Sequence, residues 1–232
     1  MKKKISLLIS AAFLLVILIH GCKKDSTSTP PTDIGTRVSF IEEFDSVYKL
    51  QAKGWVVQDN SSLNGSGPYA AWTQGYKGYD KAGVWSGFSA YSYTTTTDEF
   101  VYSEATFSAA GSGISSWLIS PVLSVKNGDK ISFYVRGDTV GSFTDRLQVR
   151  LNNSASADVG SHSISTGGFS TILFDINSSQ AAGGFPTTWT KYEYTFSGIP
   201  GRTDTRIAFR HYVTNSAGAR GIGIDLFSFQ VN

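Results

Sequence analysis

"RLQVRLN", Arg146 to Asn152, is the stretch whose reading decides the fold. Leu147, Val149 and Leu151 alternate without a break with Arg146, Gln148, Arg150 and Asn152. A period of two sets the apolar side chains on one face of a strand and the polar ones on the other, where a helix would scatter both around its circumference. The same pattern recurs on either side along the chain, in "KISFYVR" with Ile131, Phe133 and Val135, and in "KYEYTFS" with Tyr192, Tyr194 and Phe196. Further short apolar runs at 38–44, 54–58, 84–94, 100–107, 170–176, 205–214 and 221–231 are separated by Gly, Asn, Asp and Ser. Asn127-Gly128-Asp129 marks a hairpin-type turn between two of the strands. No segment after residue 37 carries a helical stripe, so these strands predict an all-β sandwich of two antiparallel sheets.

The amino terminus follows a different rule. Three lysines within the first four residues precede an almost wholly apolar run over 5–19, which has the length of an export signal rather than of a membrane span. Cys22, the single cysteine, stands directly after it. An exported chain with one cysteine makes no internal disulfide, and the Ile19-His20-Gly21-Cys22 junction resembles the lipobox of bacterial lipoproteins. That resemblance implies cleavage before Cys22, acylation of its thiol, and a membrane partner reached through the lipid anchor. Removing 1–21 lowers the 20 basic residues to 17 against 18 acidic ones, a net charge of −1, which argues against nucleic acid as a partner. The polar Ser, Thr and Pro residues over 22–37 predict a disordered tether ahead of a domain spanning 38–232.

Several segments fall in a recognisable order: "FIEEFDS" near the start, Gly54-Trp55, "AAWTQG", "SSWLISPVL", "KISFYVRG", "TRIAFRHY" and the closing "GIGIDLF". This order resembles the choice-of-anchor J or cleaved-adhesin type domains of Bacteroidetes surface proteins, which are jelly-roll sandwiches. The resemblance implies a jelly-roll β-sandwich on an outer-membrane lipoprotein, serving as a non-catalytic adhesive or glycan-binding module. The partner is then a glycan or a surface protein. An alternative is a structural or assembly subunit of an envelope complex; a polysaccharide-acting hydrolase ranks last.

Acidic residues lie at both ends of the domain. If 224–231 is one regular strand, Asp225 shares a face with Phe227, Phe229 and Val231, so its carboxylate enters an apolar layer and needs compensation. Glu43 and Asp45 share a face near the start, and carboxylates brought together there would suit Ca²⁺. By the resemblance Asp45 and Asp225, with Glu43, match the structural calcium site of related carbohydrate-binding jelly rolls. The competing reading pairs Asp225 with Arg206 or Arg210, or makes it a turn cap.

For ligand binding the sequence offers a glycine-rich aromatic stretch, from which Tyr76, Tyr79, Trp85 and Trp72 are the candidates. Flat rings on loops stack on the apolar faces of sugars; the alternative is that Trp72 and Trp85 fill the core. For catalysis it offers little. His211 shares a strand face with Ile207, Phe209 and Val213, the setting of a core histidine with both nitrogens hydrogen-bonded, and His162 sits among serines. No nucleophile elbow, phosphate loop or zinc motif occurs. Asp98, Glu99 and Glu104 are the acids that a hydrolase would have to pair with distant partners.

Overall fold

The computed structural model describes residues 37–62, 72–75, 87–91, 100–105, 111–139 and 141–232; the expected signal, most of the tether and Cys22 lie outside them. Twelve strands occur among the described residues: β1 (Phe40–Glu42), β2 (Val56–Asp59), β3 (Trp72–Gln74), β4 (Val101–Glu104), β5 (Ile114–Ile119), β6 (Leu123–Val125), β7 (Lys130–Gly137), β8 (Leu147–Asn152), β9 (Thr171–Ile176), β10 (Thr190–Thr195), β11 (Thr203–Val213) and β12 (Gly221–Gln230). All pairings are antiparallel. A first sheet runs β10-β7-β12-β4-β3, with β1 also on β12; a second runs β2-β5-β11-β8-β9, with β6 also on β11. The described residues form an all-β sandwich of two antiparallel sheets, as the alternation predicted, in the jelly-roll class that the family resemblance implied. Strands β3 and β6 carry too few residues to show a period, and the expected strand at 84–94 lies mostly outside the described residues.

The apolar set of β8 faces the space between the sheets, where Leu147 and Val149 are fully buried. Aromatic rings bridge the layers there: Phe133 of β7 and Phe227 of β12 meet Phe209 of β11 nearly edge-on at 5.0 and 5.9 Å. Trp55 continues the chain of contacts at 5.3 Å from both Phe227 and Phe44. Burying such rings removes large apolar areas from water, about 1.5–3 kcal/mol each. Trp117 is buried as expected but outside this core; with Ile119, Val159, Phe169 and Ala208 it forms a separate cluster over the far side of the second sheet.

The hairpin at 127–129 also joins the ends of the domain. Gly128 adopts φ +92°, a left-handed conformation that favours glycine, and a Cβ there would also have to displace the tip of the Asn232 side chain. The buried Asp129 carboxylate accepts from the Lys126 and Asn232 N–H groups at 2.7 and 2.9 Å and pairs with Arg37.

Strand β12 corrects the expectation for Asp225. Its pairing with β7 shifts between Asp225, opposite Tyr134, and Ser228, opposite Ser132, so three steps of β12 match two of β7. This is a β-bulge, with Leu226 at φ +49°. One extra residue reverses the side-chain parity, so Asp225 lies on the opposite face of the sheet from Phe227 and Phe229. The bulge also marks where β12 changes partner, from β4 over 221–224 to β1 over 227–229.

Candidate functional site

Between β1 and β2 the chain makes two consecutive 3₁₀ turns, Val47–Lys49 and Gln51–Lys53. Gly54 stops the second in the left-handed region, at φ +86°. Gln74 of β3 holds the turns to the first sheet. Its carboxamide oxygen accepts from the Val47 N–H at 2.8 Å, and its nitrogen donates to the Phe44 and Phe100 carbonyls at 3.0 and 3.1 Å. Leu50 is drawn into the core, while Tyr48 is left 81% exposed.

These turns, β2 and β3 bound a pocket of about 380 Å³, whose lining includes Tyr48, Leu50, Gln51, Trp55, Val57 and Trp72. A volume of about 300–1,000 Å³ is usual for a small-ligand site, and so is an apolar and aromatic wall with few polar groups. Strands β2 and β3 each end the strand order of their sheet, so the pocket sits where the sandwich closes along one side. Among the described residues its lining carries no charged side chain. Trp72 is only 1% exposed, and its Nε1–H has no hydrogen-bond acceptor among the described residues. An unpaired buried donor of this kind costs about 1–3 kcal/mol.

Of the aromatic candidates Trp72 is thus in the pocket, whereas Tyr76, Tyr79 and Trp85 lie outside the described residues. Tyr48 and Trp55 were missed as site residues. Tyr48 falls in a stretch without periodicity, and Gly54-Trp55 carried a family signal but no chemical one.

The acids named for calcium differ in setting. Glu43 and Asp45 face solvent, while Asp225 is sealed on the outer face of the first sheet. There its carboxylate accepts from the Tyr91 and Leu226 N–H groups at 2.9 and 2.7 Å, and the Tyr91 ring stacks on Tyr134 at 3.7 Å. Arg206 and Arg210 are engaged elsewhere, by carbonyls, Ser115 and Gln148, so neither is its partner. The buried acid near β1 is instead Glu42, which pairs with Lys53 at 2.9 Å. No group of three metal-ligating side chains occurs among the described residues.

The histidine follows the core reading. His211 Nδ1 lies 2.9 Å from Ser103 Oγ, and its Nε2 lies 3.1 Å from Asp145 Oδ1. Nε2–H donates to the Asp145 carboxylate, and Nδ1 shares a hydrogen bond with the Ser103 hydroxyl. Serine, histidine and aspartate therefore stand in a hydrolytic order, yet Ser103 and His211 are fully buried and Asp145 nearly so, and no substrate reaches them. Nearby, burial pushes the Tyr102 hydroxyl well above its usual pKa, reinforced by Glu104. Asp98 and Glu99 lie outside the described residues, while Glu104 is buried and faces Arg220 at 3.9 Å.

No protein-family model matches the chain, and none of the curated proteins matches it in sequence. Solved structures do resemble it. The K1 cleaved adhesin domain of Lys-gingipain from Porphyromonas gingivalis W83 superposes with a TM-score of 0.51 at 17% identity, covering 84% of this chain and 99% of that one. The K3 domain of the same protein gives 0.44 at 16% identity over 83% and 98%. A xylan-binding module gives 0.40 at 13% identity over 84% and 97%. At such identities the likeness to the K1 domain establishes a shared fold and leaves the ligand to the residues of this chain.

Proposed function

We propose that this chain is a non-catalytic binding or adhesion module, anchored to the outer membrane through an acylated Cys22, that takes glycan in the pocket between Tyr48, Trp55 and Trp72. The observation that carries the reading is the uncharged, aromatic pocket of about 380 Å³ itself, with the 81% exposed Tyr48 in its lining. The exposed Tyr48 ring offers a face on which a pyranose stacks, and the Gln51 carboxamide in the same lining can hydrogen-bond a sugar hydroxyl. The fold shared with a cleaved adhesin domain supports the reading. Envelope placement rests on the signal-like run at 5–19 and the cysteine that follows it.

A glycan array followed by affinity electrophoresis tests the pocket. Wild type is expected to be retarded by at least one neutral polysaccharide, and Tyr48→Ala to lose about tenfold in affinity, near 1.4 kcal/mol, without a change in melting temperature. If no glycan retains the wild type, or Tyr48→Ala binds as well, the pocket is not a sugar site. Mass spectrometry of the native protein tests the anchor: an acylated Cys22 at the mature amino terminus is expected, and a bare thiol behind an intact Met1 overturns it.

A further inference from the structure

The outer face of the second sheet carries three guanidinium groups side by side. Strand β8 and the residue before it present Arg146, Gln148 and Arg150 there, and β11 presents Arg210, opposite Gln148, and Tyr212. Arg210 is 2% exposed, its guanidinium held between the Trp117 and Tyr212 rings at 4.7 and 3.9 Å from their centroids. Its N–H groups go to Ser115 Oγ, Gln148 Oε1 and the Ser163 carbonyl. Arg150, 8% exposed, donates to Gln148 Oε1 at 3.0 Å and to the Phe169 carbonyl at 2.9 Å. Every one of these acceptors is electrically neutral.

Charge on this face is therefore poorly compensated. Asp175 is the carboxylate that acts on Arg146 and Arg150, and it is already forked onto Arg146 Nε and Nη2 at 2.7 and 2.6 Å. No carboxylate among the described residues acts on Arg210, whose pKa burial lowers to about 10. Cations removed from water are normally matched by anions, because neutral dipoles replace only part of the lost hydration. Two donors also remain unspent: Arg146 Nη1 and Arg150 Nη2 have no acceptor among the described residues. Arg146 and Tyr212 are both half-buried, so this end of the cluster opens to solvent. Planar guanidinium groups present paired N–H vectors that match the oxygens of a carboxylate or a sulfate.

We propose that Arg146 and Arg150, beside Tyr212, form an oxyanion site that takes the carboxylate or sulfate group of an acidic glycan. The choice of polymer rests on the glycan reading above; the anion site does not. It lies on β8 and β11, whereas the uncharged pocket is bounded by β2 and β3, and its donors are charged where the polar groups of that pocket are neutral.

Thermal melts with sodium sulfate and sodium glucuronate, each against sodium chloride at equal ionic strength, test the anion site. Affinity electrophoresis in dextran sulfate, polygalacturonate and neutral dextran identifies its source. Wild type is expected to show a saturable rise in melting temperature with at least one oxyanion, because a ligand that binds only the folded state stabilises it. Arg150→Gln should bind that oxyanion about tenfold more weakly, and Asp175→Asn, which removes the internal competitor, about tenfold more tightly. A response to sulfate alone assigns sulfate esters and one to glucuronate alone assigns uronates; either supports the site. If neither oxyanion exceeds chloride, or Asp175→Asn does not strengthen binding, the proposal is overturned, even should Arg150→Gln fail to fold. Retention by neutral polymers reports on the Tyr48 pocket only, so the two readings fail separately.

Discussion

The two outer faces of the sandwich are covered by opposite means. Over the first sheet the cover is aromatic: Phe88 stacks on Phe100 at 5.2 Å, Trp189 meets both edge-on at 5.6 Å, and the indole N–H of Trp189 donates to the Ser89 carbonyl. Over the second sheet the 153–170 segment is held by cations, with Arg206, Arg210 and Arg150 donating to the carbonyls of Ala155, Ser163 and Phe169. Neutral carboxamides add to this, Asn60 donating to the Gly160 carbonyl at 2.8 Å and Asn152 to the Ser156 carbonyl at 2.9 Å. The carbon rings of an aromatic cover need no polar partner when buried, although the Tyr102 hydroxyl beneath this one lacks a partner among the described residues and the Arg136 guanidinium lies 4.3 Å from the Phe88 centroid. A guanidinium cover satisfies the loop's carbonyls but leaves its own charge unmatched, which makes the second face the one that attracts a ligand.

The contrast can be broken or sharpened by measurement. Phe100→Ala should cost about 3–5 kcal/mol in urea denaturation, because it empties the centre of the aromatic cover; a cost below about 1 kcal/mol would mean that this cover contributes little. The opposite sign is expected from Tyr102→Phe in the same cluster. The Tyr102 hydroxyl is buried without a partner, and deleting it should raise stability by up to about 1 kcal/mol. On the second face, Arg210→Met should change global stability by less than about 1 kcal/mol, since relief of a desolvated charge offsets the lost hydrogen bonds. Amide exchange within 153–170 should nevertheless accelerate, and unchanged exchange would show that the arginine does not hold the loop. The smallest effect is expected from chelation: full removal of divalent metal should leave the melting temperature unchanged, because Glu43 and Asp45 are exposed and the Asp225 carboxylate already accepts from two backbone N–H groups. A drop that Ca²⁺ restores would place a cation on residues beyond these three.

Much of this architecture was legible where the signal is local. The inward face of β8 and the core setting of His211 both follow from a period of two, which depends only on neighbouring residues. Arg146, Gln148 and Arg150 were correctly set on the polar face, but alternation cannot tell that a loop arriving from 153–170 then buries Gln148 and Arg150. Asp225 shows how one inserted residue defeats the same rule: parity holds along a regular strand, and the bulge beside Leu226 reverses it. The candidate site was the least legible part. Trp72 was identified, but its partners Tyr48 and Trp55 come from turns with no period to read, and the pocket exists only because β2 and β3 end different sheets on the same side.

By itself the sequence determined that the chain from Val38 onward forms antiparallel strands, and which side chains of a regular strand share a face, because both follow from backbone geometry and near neighbours. Only the tertiary structure decided which face is covered and by what, where the bulge falls, and that Trp72 lacks an acceptor. Those outcomes depend on groups far apart along the chain, such as Arg150 and Phe169, 19 residues apart, or Asp225 and Tyr91, 134 apart, and no local pattern encodes such meetings.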